Sequence, residues 1–226
     1  PQSIFCHCCK IFKSIASSPD SAKRSYEKGE LVHIDAWGPF PHSAIVTGHR
    51  HILGALDSDS KMMDAESVAE PNGLIASKFV RYIIDRYESV YKVTIKTIRF
   101  DNHFIFNCQD VTAVLAERKV GKDNSAPYLH YQLMVEMMWK PMARDASCAI
   151  GFASLGKRYF ISAALHAVMT RAITTIDEGR DVTRYEYISN RKPPIHMLRI
   201  FGAPMYGHMM QEQRKAIKLD KSDPRA

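Results

Sequence analysis

Three acidic residues stand where patterned segments end or turn, positions at which a side chain can be fixed and still meet a ligand. Asp35 closes the alternating run Leu31-Val32-His33-Ile34-Asp35, and Asp101 follows the β-branched run Val93 to Phe100. Glu136 lies in a helical stretch around Leu133 to Met138. Ligands of open α/β sheets gather near strand ends, so these three carboxylates are the candidates to converge on one site. Singly they say little, because a strand-end Asp often caps a loop and a helical Glu is usually solvated. A second group is Cys6-x-x-Cys9, which has the spacing of half a zinc site. A closed zinc site needs four ligands, no second pair with matching spacing follows nearby, and His7 is too close in sequence to serve. Free surface thiols are the other reading of these cysteines.

The elements that must position the carboxylates follow from periodicity. Val32 and Ile34 point to one face of a strand, His33 and Asp35 to the other, and Trp37-Gly38-Pro39 stops it. The apolar run His51 to Leu56 ends at Asp57-Ser58-Asp59, so the pair reads as two strands joined by a loop containing Gly48. Phe79, Val80, Ile83, Ile84 and Tyr87 make one face of a helix whose other side carries Arg81, Asp85, Arg86 and Glu88. Val93 to Phe100 is predicted as a strand and Val111 to Lys119 as a helix. Pro141 is expected to kink or end the helix that carries Glu136. Leu165, Val168, Met169, Ala172, Ile173 and Ile176 form a further helical stripe that terminates near Gly179. The order β-β-α-β-α-α-α defines a mixed α/β fold, and no internal repeat interrupts it.

Composition narrows the class. With 226 residues, 46% hydrophobic and 24% charged, the chain can bury a sizeable core and is not of disordered or collagen-like composition. No stretch approaches the roughly 20 apolar residues of a membrane span, and no secretory apolar region opens the chain. It begins at Pro1 rather than Met, which reads as a piece of something longer. Five cysteines, an odd number without a signal peptide, favour a reducing, intracellular setting over a disulfide scaffold. The formal charge of +7 is unevenly spread. Residues 1–28 hold five Lys/Arg against two acids and residues 184–226 hold nine against four, leaving the middle at −1. A near-neutral body with basic ends suits a protein that handles nucleic acid and grips phosphates with its extensions. A solvated surface with basic ends is the plain alternative.

In order along the chain, the motifs resemble those of the integrases of copia-type LTR retrotransposons, a branch of the retroviral-integrase type with an RNase H-like fold. Glu30-Leu31-Val32-His33-Ile34-Asp35-Ala36-Trp37-Gly38-Pro39 resembles the first-aspartate motif, and Gly48-His49-Arg50-His51-Ile52-Leu53 with Leu56-Asp57 resembles G-x-R-Y-F-L…I-D-D. Ile95-Lys96-Thr97-Ile98-Arg99-Phe100-Asp101-Asn102 resembles the second-aspartate motif I-K-x-L-R-S-D-N. Ser125-Ala126-Pro127-Tyr128 and Glu136 resemble the loop and helix of the catalytic glutamate. Lys157-Arg158-Tyr159-Phe160 through Met169 resembles a further family helix. Tyr185-Glu186, Arg191-Lys192-Pro193 and Leu198-Arg199-Ile200-Phe201-Gly202 resemble the P-Y-E…R-K-P…L-R-V-F-G tail. Cys6 and Cys9 resemble the end of the family's His-His-Cys-Cys zinc module.

The resemblance implies a division into residues 1–28, the remnant of a zinc-binding module plus linker; 29–180, an RNase H-like catalytic core; and 181–226, a basic C-terminal extension. It implies 3′-end processing and DNA strand transfer with Asp35, Asp101 and Glu136 as catalytic ligands of two Mg²⁺ or Mn²⁺ ions. Zn²⁺ would bind Cys6 and Cys9 only in the full-length parent. Arg191, Lys192, Arg199, Arg214, Lys215 and Lys218 would hold element-end and target DNA by its backbone. It further implies a homo-oligomer without a membrane role and a nuclear or cytoplasmic location, in a virus-like particle and then the nucleus. Departures cluster around the site. Asn102-His103-Phe104-Ile105-Phe106 stands where the family has Asn-Gly-x-Glu-Phe, and Met137 replaces a basic residue. The spacing from Asp101 to Glu136 is one residue short, a slip that turns a helix by about 100° unless the preceding loop absorbs it. A catalytically inactive DNA-binding remnant of the same fold is therefore the alternative. An RNase H-like nuclease acting on another substrate ranks behind both, since the copia-like tail has no role in it.

Overall fold

The computed structural model describes residues 25–100, 104–124 and 133–204, with the side chains of 104, 124 and 133–137 outside that description. Among them, β1 is Leu31–Trp37, β2 is His51–Asp57, β3 is Met63–Val68, β4 is Thr97–Phe100 and β5 is Gly121–Asn124. They form one mixed sheet in the order β3-β2-β1-β4-β5. The β1–β2 and β2–β3 pairs are antiparallel, and the β1–β4 and β4–β5 pairs are parallel. The helices are α1 Gly73–Arg86, α2 Gln109–Arg118, α3 Leu133–Phe152, α4 Phe160–Thr174 and α5 Arg184–Ser189.

Strand alternation explains the three layers. Val32, Ile34, Leu53, Ala55, Ile98 and Phe100 face α1 and α2, which supply Phe79, Val80, Ile83, Val111 and Leu115. Ile52, Leu56 and Met63 face the other way, against Trp139, Met142 and Ala146 of α3 and Ile161, Ala164 and Val168 of α4. Both faces of β2 are covered, which is why His51–Leu56 reads as a continuous apolar run rather than an alternating one. The described part of the C-terminal segment joins the same body. Ile188 of α5 is buried, and Arg184 and Arg180 both reach back, Arg184 to Asp177 at 2.6 Å and Arg180 to Asp59 at 2.9 Å.

Several expectations change in the structure. The strand predicted over Val93–Phe100 enters the sheet only at Thr97, because its partner β1 begins at Leu31, opposite Thr97. The preceding residues instead cross Gly29, whose φ of +73° and contact with Thr94 leave no room for a Cβ. Pro141 does not end its helix, since α3 runs on to Phe152. Packing of Trp139, Met142 and Ala146 on the sheet offsets the one backbone bond that proline cannot donate. The stripe through Ile176 stops at Thr174. β3 and β5 have no counterpart in the sequence reading.

Inside β3, Asp64 is buried with its carboxylate 2.7 Å from Arg86 Nε, and the Tyr91 hydroxyl donates to it at 3.0 Å. Burial raises its pKa, opposed by Arg86 and Tyr91. Breaking such a pair strands a buried charge, whereas removing both members does not. Arg86→Met should therefore cost about 3 kcal/mol in urea denaturation, and adding Asp64→Asn should recover a substantial part of that loss.

Candidate functional site

Asp35 sits near the C-terminal end of β1, opposite Gly54 of β2. Its neighbour Ile34 pairs with Phe100, the last residue of β4 and the one before Asp101 in the chain. The central pair of parallel strands thus carries the two aspartate motifs side by side. The Asp35 carboxylate is half-buried. Oδ1 accepts the backbone N–H of Ala36 at 2.7 Å, and Oδ2 accepts the indole Nε1–H of Trp139 at 2.9 Å.

Trp139 comes from α3, three residues after Glu136, and is 6% exposed. Its ring stacks on Trp37 with centroids 4.9 Å apart and planes 29° off parallel. Trp37 in turn meets Phe40 edge-on at 4.8 Å and Phe160 at 5.6 Å. The indole lies directly on β2 over Gly54. A Cβ there would stand 2.4 and 2.7 Å from Trp139 ring carbons and 3.1 Å from Met63 Cε. Glycine is required at this strand position for close approach, not for backbone conformation.

Beneath Asp35 on the same face, β1, β4 and β5 align His33, Arg99 and Asp123 in one cross-strand row. Arg99 donates from Nε and Nη2 to Asp123 Oδ2 at 2.8 and 2.6 Å, and His33 Nε2 pairs with Ser58 Oγ at 2.9 Å. Burial, then the positive charges of Arg99 and Lys61, push the His33 pKa down to about 4. His33 is therefore a neutral imidazole at neutral pH.

Of the residues expected from sequence to hold metal, Asp35 alone has a described side chain. Asp101, Cys6 and Cys9 lie outside the described residues, as does the side chain of Glu136, whose backbone belongs to α3. Among the described residues no group of three or more His, Cys, Asp or Glu is placed to hold a metal ion. Asp35 has the hard oxygen donors that Mg²⁺ prefers, but one carboxylate does not make a cation site by itself. Arg191 and Lys192 are exposed just after α5, and Arg199 donates back to the carbonyls of His196 and Leu198 at 2.7 and 2.8 Å. Arg214, Lys215 and Lys218 lie outside the described residues. The sequence reading missed Trp139 and Gly54. The available signal was a large aromatic less than one turn from Glu136, on the same side of a helix.

By sequence the chain matches no family model and no curated protein. By structure it is similar to the crystal structure of the catalytic core domain of BIV integrase, with a TM-score of 0.54 and 18% identity. The match covers 71% of this chain and 93% of that one. At that identity the likeness is one of fold: a five-stranded mixed sheet flanked by helices, the RNase H-like arrangement of an integrase catalytic core.

Two outcomes follow. Gly54→Ala should displace the indole from β2, seen as a shifted Trp139 Nε1–H resonance and a stability loss of about 2 kcal/mol from overpacking. An unchanged indole signal would contradict the close contact. For His33, the unfolded chain takes up a proton below about pH 6.5 while the folded one does so only near pH 4. Folding stability should fall across that window by up to about 3 kcal/mol at its acid end, and His33→Gln should flatten that part of the pH profile.

Proposed function

We propose that the chain is the catalytic core of an integrase of the copia-type LTR-retrotransposon kind, joining DNA 3′ ends to target DNA by phosphoryl transfer. One observation carries the reading. The Trp139–Asp35 hydrogen bond docks the helix that bears Glu136 onto the strand that bears Asp35, beside the strand that leads to Asp101. Two elements that bear candidate carboxylates, β1 and α3, are joined beside β4 in a sheet with the integrase-core fold, which supports this reading.

In this reading Asp35, Asp101 and Glu136 hold Mg²⁺ or Mn²⁺, which would neutralise charge that builds on the phosphoryl oxygens. Ala36 N–H and the Trp139 indole fix the Asp35 carboxylate so that it need not reorganise when a ligand arrives. Neutral His33 adds no positive charge of its own beneath it. Arg191, Lys192 and Arg199, with Arg214, Lys215 and Lys218 further along, hold DNA by its phosphates. Cys6 and Cys9 belong to a zinc module in a longer parent protein, and the protein works as a homo-oligomer on nuclear DNA.

The departures at 102–106 and Met137 favour one second reading, a DNA-binding remnant that no longer joins strands. A strand-transfer assay with element-end duplexes and Mn²⁺ separates the two. Asp35→Asn should reduce joining to background, and Trp139→Phe, which keeps an aromatic ring but removes the N–H with the pyrrole part of the indole, should reduce it about 10- to 100-fold. DNA binding without joining by the unaltered chain establishes the remnant. Joining that survives Asp35→Asn overturns the site.

A further inference from the structure

Residues 36–56 and 146–176 contain no Asp or Glu, although the chain has 24 acids. These two stretches meet in space. The first holds the loop between β1 and β2, and the second holds the turn at Lys157–Tyr159 and α4. The Ile45 N–H donates to the Arg158 carbonyl at 3.2 Å, and Phe40 lies 5.3 Å from Phe160. Arg50 is held within the loop, donating from Nε to the Phe40 carbonyl at 3.2 Å while Phe40 N–H bonds back to the Arg50 carbonyl at 2.8 Å. The result is one continuous surface on which Arg50, Lys157 and Arg158 are all exposed, with exposed His42 on the same loop.

These cations differ from those that are neutralised within the chain. Arg81, Arg86, Lys96, Arg99, Arg118, Arg171, Arg180 and Arg184 each face a carboxylate of the chain. Among the described residues Arg50, Lys157 and Arg158 make no such pair. The acids that bound the second acid-free stretch are themselves engaged, Asp145 by Arg171 and Asp177 by Arg184. The surface also borders the site already described. Trp139 bonds Asp35 and stacks on Trp37, which touches Phe160, two residues after Arg158. From the other side, Gly202 of the C-terminal segment lies against Ala153 and Leu155, just before Lys157.

We propose that the β1–β2 loop and the Lys157–Arg158 turn together form a binding surface for the sugar–phosphate backbone of duplex DNA. Arg50, Lys157 and Arg158 contact phosphates without reading sequence, and the duplex is led across the aromatic cluster toward the Asp35 end of β1. This rests on the proposed integrase reading and adds a contact surface in the body of the fold to the basic tail. Each phosphate neutralised releases condensed counterions, so the surface has a salt signature of its own.

The test uses the whole chain and a duplex of unrelated sequence about 25 base pairs long, with affinity measured from about 50 to 200 mM salt. Arg50→Gln/Lys157→Gln/Arg158→Gln should reduce the slope of log K against log salt by about 2 to 3 and weaken binding some tens of fold at the low-salt end. Lys157→Gln/Arg158→Gln, which leaves the loop bond of Arg50 intact, should give about two thirds of that change. Arg81→Gln/Lys96→Gln, which removes paired cations, should leave the slope unchanged. If the triple variant binds as the parent does while Arg191→Gln/Lys192→Gln/Arg199→Gln weakens binding, this surface is wrong and the DNA-binding reading stands. If the parent shows no salt-dependent duplex binding, both fall. A slope change seen equally with the paired-cation control also overturns the surface, since it would reflect net charge alone.

Discussion

The hydrogen bond from the uncharged Trp139 indole to the Asp35 carboxylate is the contact around which the candidate site is built. An indole N–H carries no formal charge, so it fixes a carboxylate without cancelling the negative charge that a cation would seek. The bond also has a steric condition. It forms because position 54 of the neighbouring strand is glycine, which lets a ring from α3 rest on the backbone of the sheet. Trp37, two residues beyond Asp35 on the same strand and face, supplies the other wall of the indole's seat. One helix is thereby registered against one strand to within the width of a ring.

The sheet supplies the second constraint. Pairing β1 with β4 in parallel puts Ile34, the residue before Asp35, opposite Phe100, the last residue of β4, and the row His33–Arg99–Asp123 ties β1, β4 and β5 together one step below. Arg99 is neutralised within that row by Asp123, and burial keeps His33 uncharged. Charge in the polar layer beneath the site is therefore balanced within the row, while Arg50 on the β1–β2 loop and Lys157 and Arg158 on the turn before α4 are exposed and face no carboxylate among the described residues.

How much of this was legible in the sequence depends on which force shapes each part. Val32 and Ile34 alternate because one face of β1 is core, and the helical stripe Phe79–Ile84 reports the face that α1 buries. Both could be read directly. β5, Gly-Lys-Asp-Asn, has no apolar pattern and exists through its pairing with β4 and the Arg99–Asp123 contact. β3 hides because its inward Asp64 is a paired charge rather than an apolar side chain. Pro141 signals a helix end that tertiary packing overrides. At the site, the strand-end place of Asp35 was visible from its run, whereas the Trp139–Gly54 contact joins residues far apart in the chain and leaves no local periodicity. Asp101 and the Glu136 side chain lie outside the described residues, so their part of the site rests on motif order and on the backbone that leads to them.

The most direct measurement is a crystal structure of the chain soaked in Mn²⁺, with the ion located by anomalous scattering. The account predicts an anomalous peak at the Asp35 carboxylate, with Asp101 and Glu136 as its other protein ligands and the Trp139 bond intact. Glu136 turned away from β1, or no peak at Asp35 while the Trp139 bond is present, would contradict it.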